Sequence, residues 1–420
     1  MKKINLFLII CICLSPLSAR AQEVFLTLEE ALSLALRDNR DILLKTEDIT
    51  KAREKISESR GGLWPTVHFT ASQTQTRDLY DATLDQTAVQ AAFKQYLYKG
   101  GKIVNTIEQS KAKLKVSEAL LEKTRIEVNL QVKKAFYALL LAEDFVELNK
   151  GIVANTEKHL ETIEARYQKG LVSELDILKI KESLESVQQA YVESLSQVDS
   201  LQSLLRNLLY LEEDVHIRPD GEFAYERKDI AYDAGFLKAL QDRPEIRQYE
   251  AQERVDQRTI EITKADNRPS IYASWDYYSR SHLSFQTSRN WNDYNVLGLT
   301  FSWPIFDGWV TKSRLDQAIV DLKQTRLMKD KAIKEIALEL KNAYVDLKNA
   351  IAQIKAAEAD VAFYRNNLAQ VQERYASGIM SFLDLDDALL SRQVSEFNKN
   401  QAIYNYIIAK NDFIKATGGL

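Results

Sequence analysis

The chain has 420 residues, 56 basic and 60 acidic, with a formal net charge of −4 and only 13 Gly and 6 Pro. A mildly acidic balance without a basic block speaks against nucleic acid, and so few breakers over this length speak for long helices. The histidines, His68, His159, His216 and His282, are scattered without metal-ligand spacing, and no phosphate-cradling Gly-rich loop occurs, so neither an enzyme, a metal site nor a cofactor is expected.

Met1-Lys2-Lys3 opens the chain, an apolar run follows from Ile4 to Leu17, and Ser18-Ala19-Arg20-Ala21 closes it. A short basic region, an apolar core and an Ala-x-Ala site read as a secretory signal over residues 1–21. Its loss removes three basic residues and no acidic ones, which takes the net charge from −4 to −7. It also removes Cys11 and Cys13, and with them any disulfide framework or thiol nucleophile. Neither cysteine follows the small residue that precedes a lipidated cysteine, so no lipid anchor is expected. No later segment approaches 18 consecutive apolar residues, and no transmembrane helix is expected. An exported chain without one can still cross an outer membrane as a closed β-barrel.

The first half predicts a helix over Leu26–Ser59, broken near Asp38-Asn39-Arg40, then strands over Thr66–Arg77 and Thr87–Tyr98. A long helix follows over Lys102–Gln168, with a return helix over Ser173–Leu209. Leu211–Gly235 is mixed and acidic, with Pro219-Asp220-Gly221 as a turn. The second half repeats the order: a helix over Pro244–Ala265, strands over Ser270–Ser281 and Tyr294–Ile305, a long helix over Trp309–Ala376 and a return helix over Ser381–Ala416.

The halves are copies. Arg166-Tyr167-Gln168-Lys169-Gly170-Leu171-Val172-Ser173-Glu174-Leu175-Asp176 matches Arg374-Tyr375-Ala376-Ser377-Gly378-Ile379-Met380-Ser381-Phe382-Leu383-Asp384 at an offset of 208. The same offset lays Phe93…Tyr98-Lys99-Gly100 on Phe301…Phe306-Asp307-Gly308, whereas Trp64-Pro65 meets Arg268-Pro269 at 204. The second copy therefore has four extra residues, in one place, as a variable loop gives. The division is 1–21 signal, 22–210 first repeat, 211–243 linker and 244–420 second repeat. The fold class expected is mainly α with a small β part, a duplicated helix–strand–strand–long helix–helix unit.

Heptads run through the long helices. One track is Ile107, Leu114, Leu121, Val128, Ala135 and Ala142; another is Val132, Leu139, Val146, Val153, Leu160 and Tyr167; the second copy carries Leu340, Leu347, Ile354, Val361, Leu368 and Tyr375. Sustained heptads mean coiled-coil packing, and a helix of this length, ~100 Å, must pack along something equally long. Periodicity alone fits a soluble periplasmic coiled-coil scaffold equally well. The strands tip the balance. Ile271, Ala273, Trp275 and Tyr277 alternate with Tyr272, Ser274, Asp276 and Tyr278, and Leu297, Leu299, Phe301, Trp303 and Ile305 alternate with Val296, Gly298, Thr300 and Ser302. One apolar and one polar face suit a barrel with lipid outside and water inside, with Trp64, Tyr98, Trp303 and Phe306 as interfacial aromatics. The first copy alternates less cleanly, since Gln73 and Gln75 follow Val67, Phe69 and Ala71. Four strands fall short of the ~8 that close a spanning barrel, so such a chain must oligomerise, and three copies would supply twelve.

With these features the sequence resembles the TolC-like outer-membrane efflux proteins. The resemblance rests on Leu26-Thr27-Leu28-Glu29-Glu30-Ala31, on Trp303-Pro304-Ile305-Phe306-Asp307-Gly308, on the two Arg-Tyr-x-x-Gly-x-x-Ser-x-Leu-Asp turns and on the duplicated order. It implies a homotrimer in the outer membrane, a twelve-stranded β-barrel continued by a twelve-helix α-barrel into the periplasm. That duct would meet a periplasmic adaptor (membrane fusion protein) and an inner-membrane transporter, in efflux or type I secretion. Gly170 and Gly378 sit where a long helix reverses, as helix caps do. By resemblance these turns form the adaptor-docking tip, with Leu171, Ser173, Ile379 and Ser381 as contacts. Asp384 and Asp387 lie three apart at a helix start, which also suits the helix dipole. By resemblance they form aspartate rings at a periplasmic gate, which would bind cations. Asp176 and Tyr375 match a pair that helps to hold that gate shut. Met380 stands where the best-known gate of the family has an arginine, so that ionic latch is incomplete.

Overall fold

The computed structural model describes residues 22–79, 82–226, 232–283 and 290–419; the signal-like segment 1–21, with Cys11 and Cys13, lies outside the described residues. In chain order the elements are β1 (Gln22–Thr27), α1 (Leu28–Asp38), α2 (Arg40–Gly61), β2 (Thr66–Leu79), β3 (Ala82–Lys99), α3 (Lys102–Gln168), α4 (Glu174–Leu209), β4 (Val215–Asp220), α5 (Tyr232–Asp242), α6 (Pro244–Ala265), β5 (Ser270–Leu283), β6 (Asn290–Ser302), α7 (Val310–Ala376) and α8 (Phe382–Ala416). The chain falls into two units. The first takes the chain up to Asp38, Gln131–Ala224 and Gln353–Tyr404; the second takes Asn39–Leu130, Tyr225–Ala352 and the chain from Asn405 on.

The first unit contains a two-stranded parallel sheet, β1 beside β4, with Gln22 opposite Val215 and Thr27 opposite Asp220. Pro219 and Asp220, expected in a turn, therefore end a strand. Both strands of a two-stranded sheet are edges, where a missing proline N–H costs no ladder bond. The first helix starts at Leu28, after a strand that the sequence did not announce. Thr27 and Glu30 form its capping box: the Thr27 N–H and hydroxyl both donate to Glu30 Oε2 at 2.9 Å. Val132, Phe136, Leu139, Leu205 and Ile217 are buried in this unit. The heptad track of α3 is closed at Val132 and Leu139, half-buried at Val146, Val153 and Leu160, and exposed at Tyr167. The α7 track stays buried from Leu340 to Leu368.

The second unit holds an antiparallel sheet in the order β2-β3-β5-β6. Its register places Val67, Phe93, Trp275 and Leu297 in one row across all four strands. Phe69, Ala91 and Tyr277 lie in the next row on the same face, and Ile271 with Phe301 lies two rows the other way. Side chains two apart share a face, so these residues form one apolar surface, on which Leu297 is 83% and Leu299 73% exposed. On the opposite face lie Thr66, His68 and Thr70, then Gln90 and Lys94, then Tyr272, Ser274, Asp276 and Tyr278. That face is polar and bonded within itself. Gln90 Nε2 donates to Asp276 Oδ1 at 3.1 Å and to the Tyr278 hydroxyl at 3.0 Å, and Lys94 Nζ stands 3.9 Å over the Tyr272 ring. The lapse at Gln73 is now explained. Gln73 pairs with Thr87, which pairs with Ser281, and the adjacent row carries Ser279 bonded to Asp293. Three of the four strands turn polar at that level, while β6 carries Trp291 opposite Ser281.

Each strand continues into a helix, or from one, and the helices keep the strand order. Ser59 of α2 bonds Ser110 of α3 at 2.7 Å. Gln109 of α3 donates to Thr259 of α6 at 2.7 Å, and Glu122 pairs with Arg247 at 2.6 Å. Thr325 of α7 donates to Asp256 of α6 at 2.6 Å in a buried contact. The order α2-α3-α6-α7 thus repeats β2-β3-β5-β6. The result is a wall of four helix–strand staves, and its outer strands β2 and β6 each lack a second partner among the described residues. Where α6 begins, buried Arg243 binds Glu339 of α7 and donates to the Lys415 carbonyl of α8 at 2.9 Å, and Lys415 Nζ reaches Glu339 at 3.0 Å. Burial pushes the Glu339 carboxyl up, but Arg243 and Lys415 outweigh it and hold it below its ordinary range.

Two departures from the expected bounds follow local rules. Trp303-Pro304-Ile305 was read as strand, but β6 ends at Ser302, since Pro304 has no N–H for a ladder. Trp309 was read as helix but has φ +67 and precedes it.

The two faces set the first prediction. Leu299→Lys costs about 2–4 kcal/mol at the middle of a bilayer and removes the protein from the outer-membrane fraction. Thr300→Lys, one residue on and facing the polar side, leaves it there. Equal membrane yields of the two variants would sink this reading of the faces.

Candidate functional site: the helical tip turns

Both long helices reverse by the same device. At the end of α3, the Gly170 N–H donates to the Tyr167 carbonyl at 2.8 Å and the Leu171 N–H to the Arg166 carbonyl at 3.0 Å. At the end of α7, the Gly378 N–H donates to Tyr375 and the Ile379 N–H to Arg374, both at 2.9 Å. These paired bonds are Schellman motifs, which need a left-handed residue. Gly170 and Gly378 supply it, with φ of +70 and +72. A Cβ at either position would meet nothing within 4 Å, so backbone conformation alone calls for glycine here.

The next helix then starts on a capping box. The Ser173 N–H and hydroxyl donate to Asp176 Oδ2 at 3.0 and 2.8 Å. The Ser381 N–H and hydroxyl donate to Asp384 Oδ2 at 2.8 and 2.7 Å. Four residues of the site are therefore occupied within their own turns. For Asp176 the backbone bond from Ser173, then its hydroxyl, hold the carboxyl below its ordinary value of 3.8. For Asp384 the Ser381 hydroxyl leads, then its N–H, and the nearby Arg166 adds to the lowering. What each turn shows to solvent is its aliphatic side chain: Leu171 is 70% and Ile379 75% exposed.

The remaining sequence-derived residues lie beside the turns. Tyr375 is in the last turn of α7 and is partly exposed. Met380 packs with Leu385 against the buried cluster of Leu368, Val371 and Ala388. The second turn is thus fastened by apolar packing at Met380. Asp387 lies on α8 with its Oδ1 3.0 Å from His159 Nε2. A third aspartate, between the two nominated ones, was missed. Asp386 accepts from Asn155 Nδ2 at 2.7 Å and from Lys158 Nζ at 3.3 Å, and it is largely buried. Asn155, Lys158 and His159 fall at i, i+3 and i+4 on one face of α3, a signal that the sequence carried.

These turns generate a conformational and a pH prediction. Gly378→Ala costs about 1 kcal/mol through its left-handed backbone alone. It should appear as faster amide exchange confined to residues 376–381; unchanged exchange there contradicts the φ argument. The depressed Asp176 and Asp384 groups stabilise their turns fully above 3.8, and that stabilisation is lost as pH falls through the lower folded values. Exchange in the first turns of α4 and α8, corrected for intrinsic rate, should stay slow in mildly acidic buffer and rise only below 3.8. Loosening already at mildly acidic pH would contradict the caps.

Comparison with known proteins follows the same outline. The profile of the family described as outer membrane efflux protein matches residues 31–209 and 237–419. The outer membrane protein TolC of Vibrio cholerae is 22% identical over 377 residues, 88% of this chain and 85% of that protein. The alkaline protease secretion protein AprF of Pseudomonas aeruginosa is 22% identical over 304 residues, 70% of this chain and 63% of AprF. Among solved structures, the Campylobacter jejuni CmeC outer membrane channel superposes with a TM-score of 0.78 at 20% identity, covering 93% of this chain and 85% of that one. With a family profile running through both copies, from α1 to the end of α4 and from α5 to beyond α8, the chain belongs to the outer membrane efflux protein family and is an efflux channel protein of the outer membrane.

Proposed function

We propose that three copies of this chain close their walls edge to edge into one duct, with twelve strands in the outer membrane and twelve helices below it. The observation that carries this reading is the wall of the second unit, with one apolar face, one polar face and, among the described residues, a strand without a second partner at each edge. A β-sheet in lipid needs both edges paired, and four strands cannot close on themselves. Strand β2 of one copy would pair with β6 of the next, a heterologous contact that closes as a ring. The polar face then lines the passage.

The duplication supports the same arrangement. Gln95 Nε2 donates to the Leu63 carbonyl at 3.1 Å in the first hairpin, and Trp303 Nε1 donates to the Asn267 carbonyl at 3.2 Å in the second. These are corresponding residues at offsets of 208 and 204. Residues 22–210 and 244–420 are read as the two repeats, with removal of residues 1–21 on export.

The tip turns would be the periplasmic end. Leu171 and Ile379 offer an apolar contact for the helices of a periplasmic adaptor, which couples the duct to an inner-membrane transporter. Ser173 and Ser381 shape the turn rather than reach outward. Asp384 and Asp387 of three copies would form the gate's carboxylate rings, and Asp176 with Tyr375 would help to hold it closed. Because Met380 replaces an ionic contact, closure at that point should respond little to salt. Passage needs no covalent step, only a shift between closed and open populations.

Single-channel recording in planar bilayers tests the gate. Wild type should show a small cation-selective conductance blocked by divalent cations. Asp384→Asn with Asp387→Asn keeps an oxygen acceptor for the capping box but removes the charges, and should weaken the block. An undiminished block would remove the ring assignment. Leu171→Asp with Ile379→Asp should abolish adaptor-dependent efflux in cells and leave the bilayer conductance intact; efflux at the wild-type level would remove the docking assignment.

A further inference from the structure

The strand-to-helix junctions of the wall come in two kinds, and only one kind is satisfied within the chain. Where β3 runs into α3, Gly100 and Gly101 have φ of +59 and +83. They press against the junction of α6 and β5. A Cβ on Gly100 would stand 2.8 Å from both the Ala265 carbonyl oxygen and Arg268 Cβ. Arg268 Nη1 donates to the Gly100 carbonyl at 3.1 Å, and Lys102 pairs with Asp266 at 2.6 Å. This seam is close-packed and ionic.

The duplication maps each of these residues onto a free edge. At an offset of 208, Gly100, Gly101 and Lys102 become Gly308, Trp309 and Val310, beside the free strand β6. At an offset of 204, Ala265, Asp266, Asn267 and Arg268 become Gly61, Gly62, Leu63 and Trp64, beside the free strand β2. Gly62 lies against Ile103 of its own chain, 3.4 Å from where its Cβ would be, but each half of this second seam has open positions among the described residues. A Cβ on Gly308 or on Gly61 would meet nothing within 4 Å, and Trp64 and Trp309 are 73% and 64% exposed.

Trp309 also holds a conformation its type resists. Its φ is +67, where a bulky residue is a genuine outlier and its duplicate is glycine. The ring is fixed there by an edge-on contact with Phe306, 5.8 Å between centroids, and by Lys312 Nζ 5.1 Å from its centroid. Strain of this kind persists where something else depends on the residue.

We propose that Trp309 of one copy packs on the Gly61–Trp64 junction of the next, where it forms an aromatic seam in place of the ionic seam within the chain. The inference rests on the edge-to-edge closure proposed above and adds which residues meet. Tryptophan fills the place of Gly101, whose Cβ would stand 3.8 Å from Arg268 Nη1 in the internal seam, and Arg268 is the residue that Trp64 replaces. The guanidinium of Arg268 is replaced by the ring of Trp64, and the Lys102–Asp266 pair by Val310 against a glycine. The three charges of the internal seam, on Lys102, Asp266 and Arg268, are each replaced by an uncharged residue, at the level where the wall passes from water into lipid.

The test uses the full exported chain, in which Cys11 and Cys13 precede residue 22 and are lost with the signal, so introduced cysteines stand alone. Trp64→Cys with Trp309→Cys, treated with a short bis-maleimide, should give covalent dimers and trimers on a denaturing gel, and either single variant should give none. A wild-type trimer by native mass, with a double variant that links only within one chain or not at all, overturns the seam and leaves the closure standing. A monomeric wild type overturns both. Heating gives a second readout, because Trp309→Gly relieves strain in each chain yet removes the seam. Its oligomer should separate at a lower temperature than wild type, and that of Trp309→Phe should not. Separation of the Gly variant at the wild-type temperature overturns the proposal.

Discussion

At its four-stranded sheet the wall of the second unit is one layer thick, and most of the architecture there answers that constraint. A compact domain buries its apolar surface against a second layer. Here the four-stranded sheet leaves its apolar face uncovered, and its polar face is tied together by bonds such as Gln90 to Asp276. Lateral contact between neighbouring staves does the work of a core. That explains why the inter-helix contacts are short and specific, as between Thr325 and Asp256 or between Gln109 and Thr259. It also explains the exact inheritance of order from strands to helices: a stave that changed neighbours at the junction would leave both layers unpaired.

The tips solve a different problem, the reversal of a very long helix without exposed backbone. A left-handed glycine closes the old helix and a serine with an aspartate three residues on opens the new one. The same carboxyls that the family resemblance assigns to gating are thus already engaged in capping. Asp384 can serve both ends because a capping carboxylate keeps its charge and a further lone pair. Asp386 and Asn155 fasten α8 to α3 a turn further in, and Met380 fastens α7 to α8 by packing. The turns are therefore held by several kinds of contact, of which only some respond to acid or salt.

Much of this was legible in the sequence because it repeats with a period. The long helices announced themselves through heptads such as Leu340 to Leu368, the two-faced sheet through Ile271 to Tyr277, and the tips through Gly170 and Gly378. The coiled-coil scaffold that the heptads alone allowed falls away with membership of the efflux family. What escaped had no period to show. Strands β1 and β4 are six residues each and pair across a long stretch of chain, and helix α5 is a short element inside a segment read as linker. Pro219 signalled a turn because proline is usually one, and only the edge position in β4 excused it. Asp386 was passed over because spacing favoured Asp384 and Asp387, whereas its partners lie on another helix. Trp309 looked like the first residue of a helix, and nothing in a single sequence reveals a positive φ on a tryptophan.

The free edges carry a cost that belongs to the time before assembly. A long strand with unpaired N–H and C=O groups is a template for any other strand, and β2 and β6 present two of them beside a broad apolar face. The isolated chain is therefore its own most dangerous neighbour, since the contact that completes a ring differs from the one that starts a fibre only in the angle at which it closes. With the edge-to-edge closure proposed above, assembly becomes a race between correct closure and open-ended association. Its outcome depends on how scarce free chains are kept and how soon lipid covers the apolar face, and less on how stable the finished duct is.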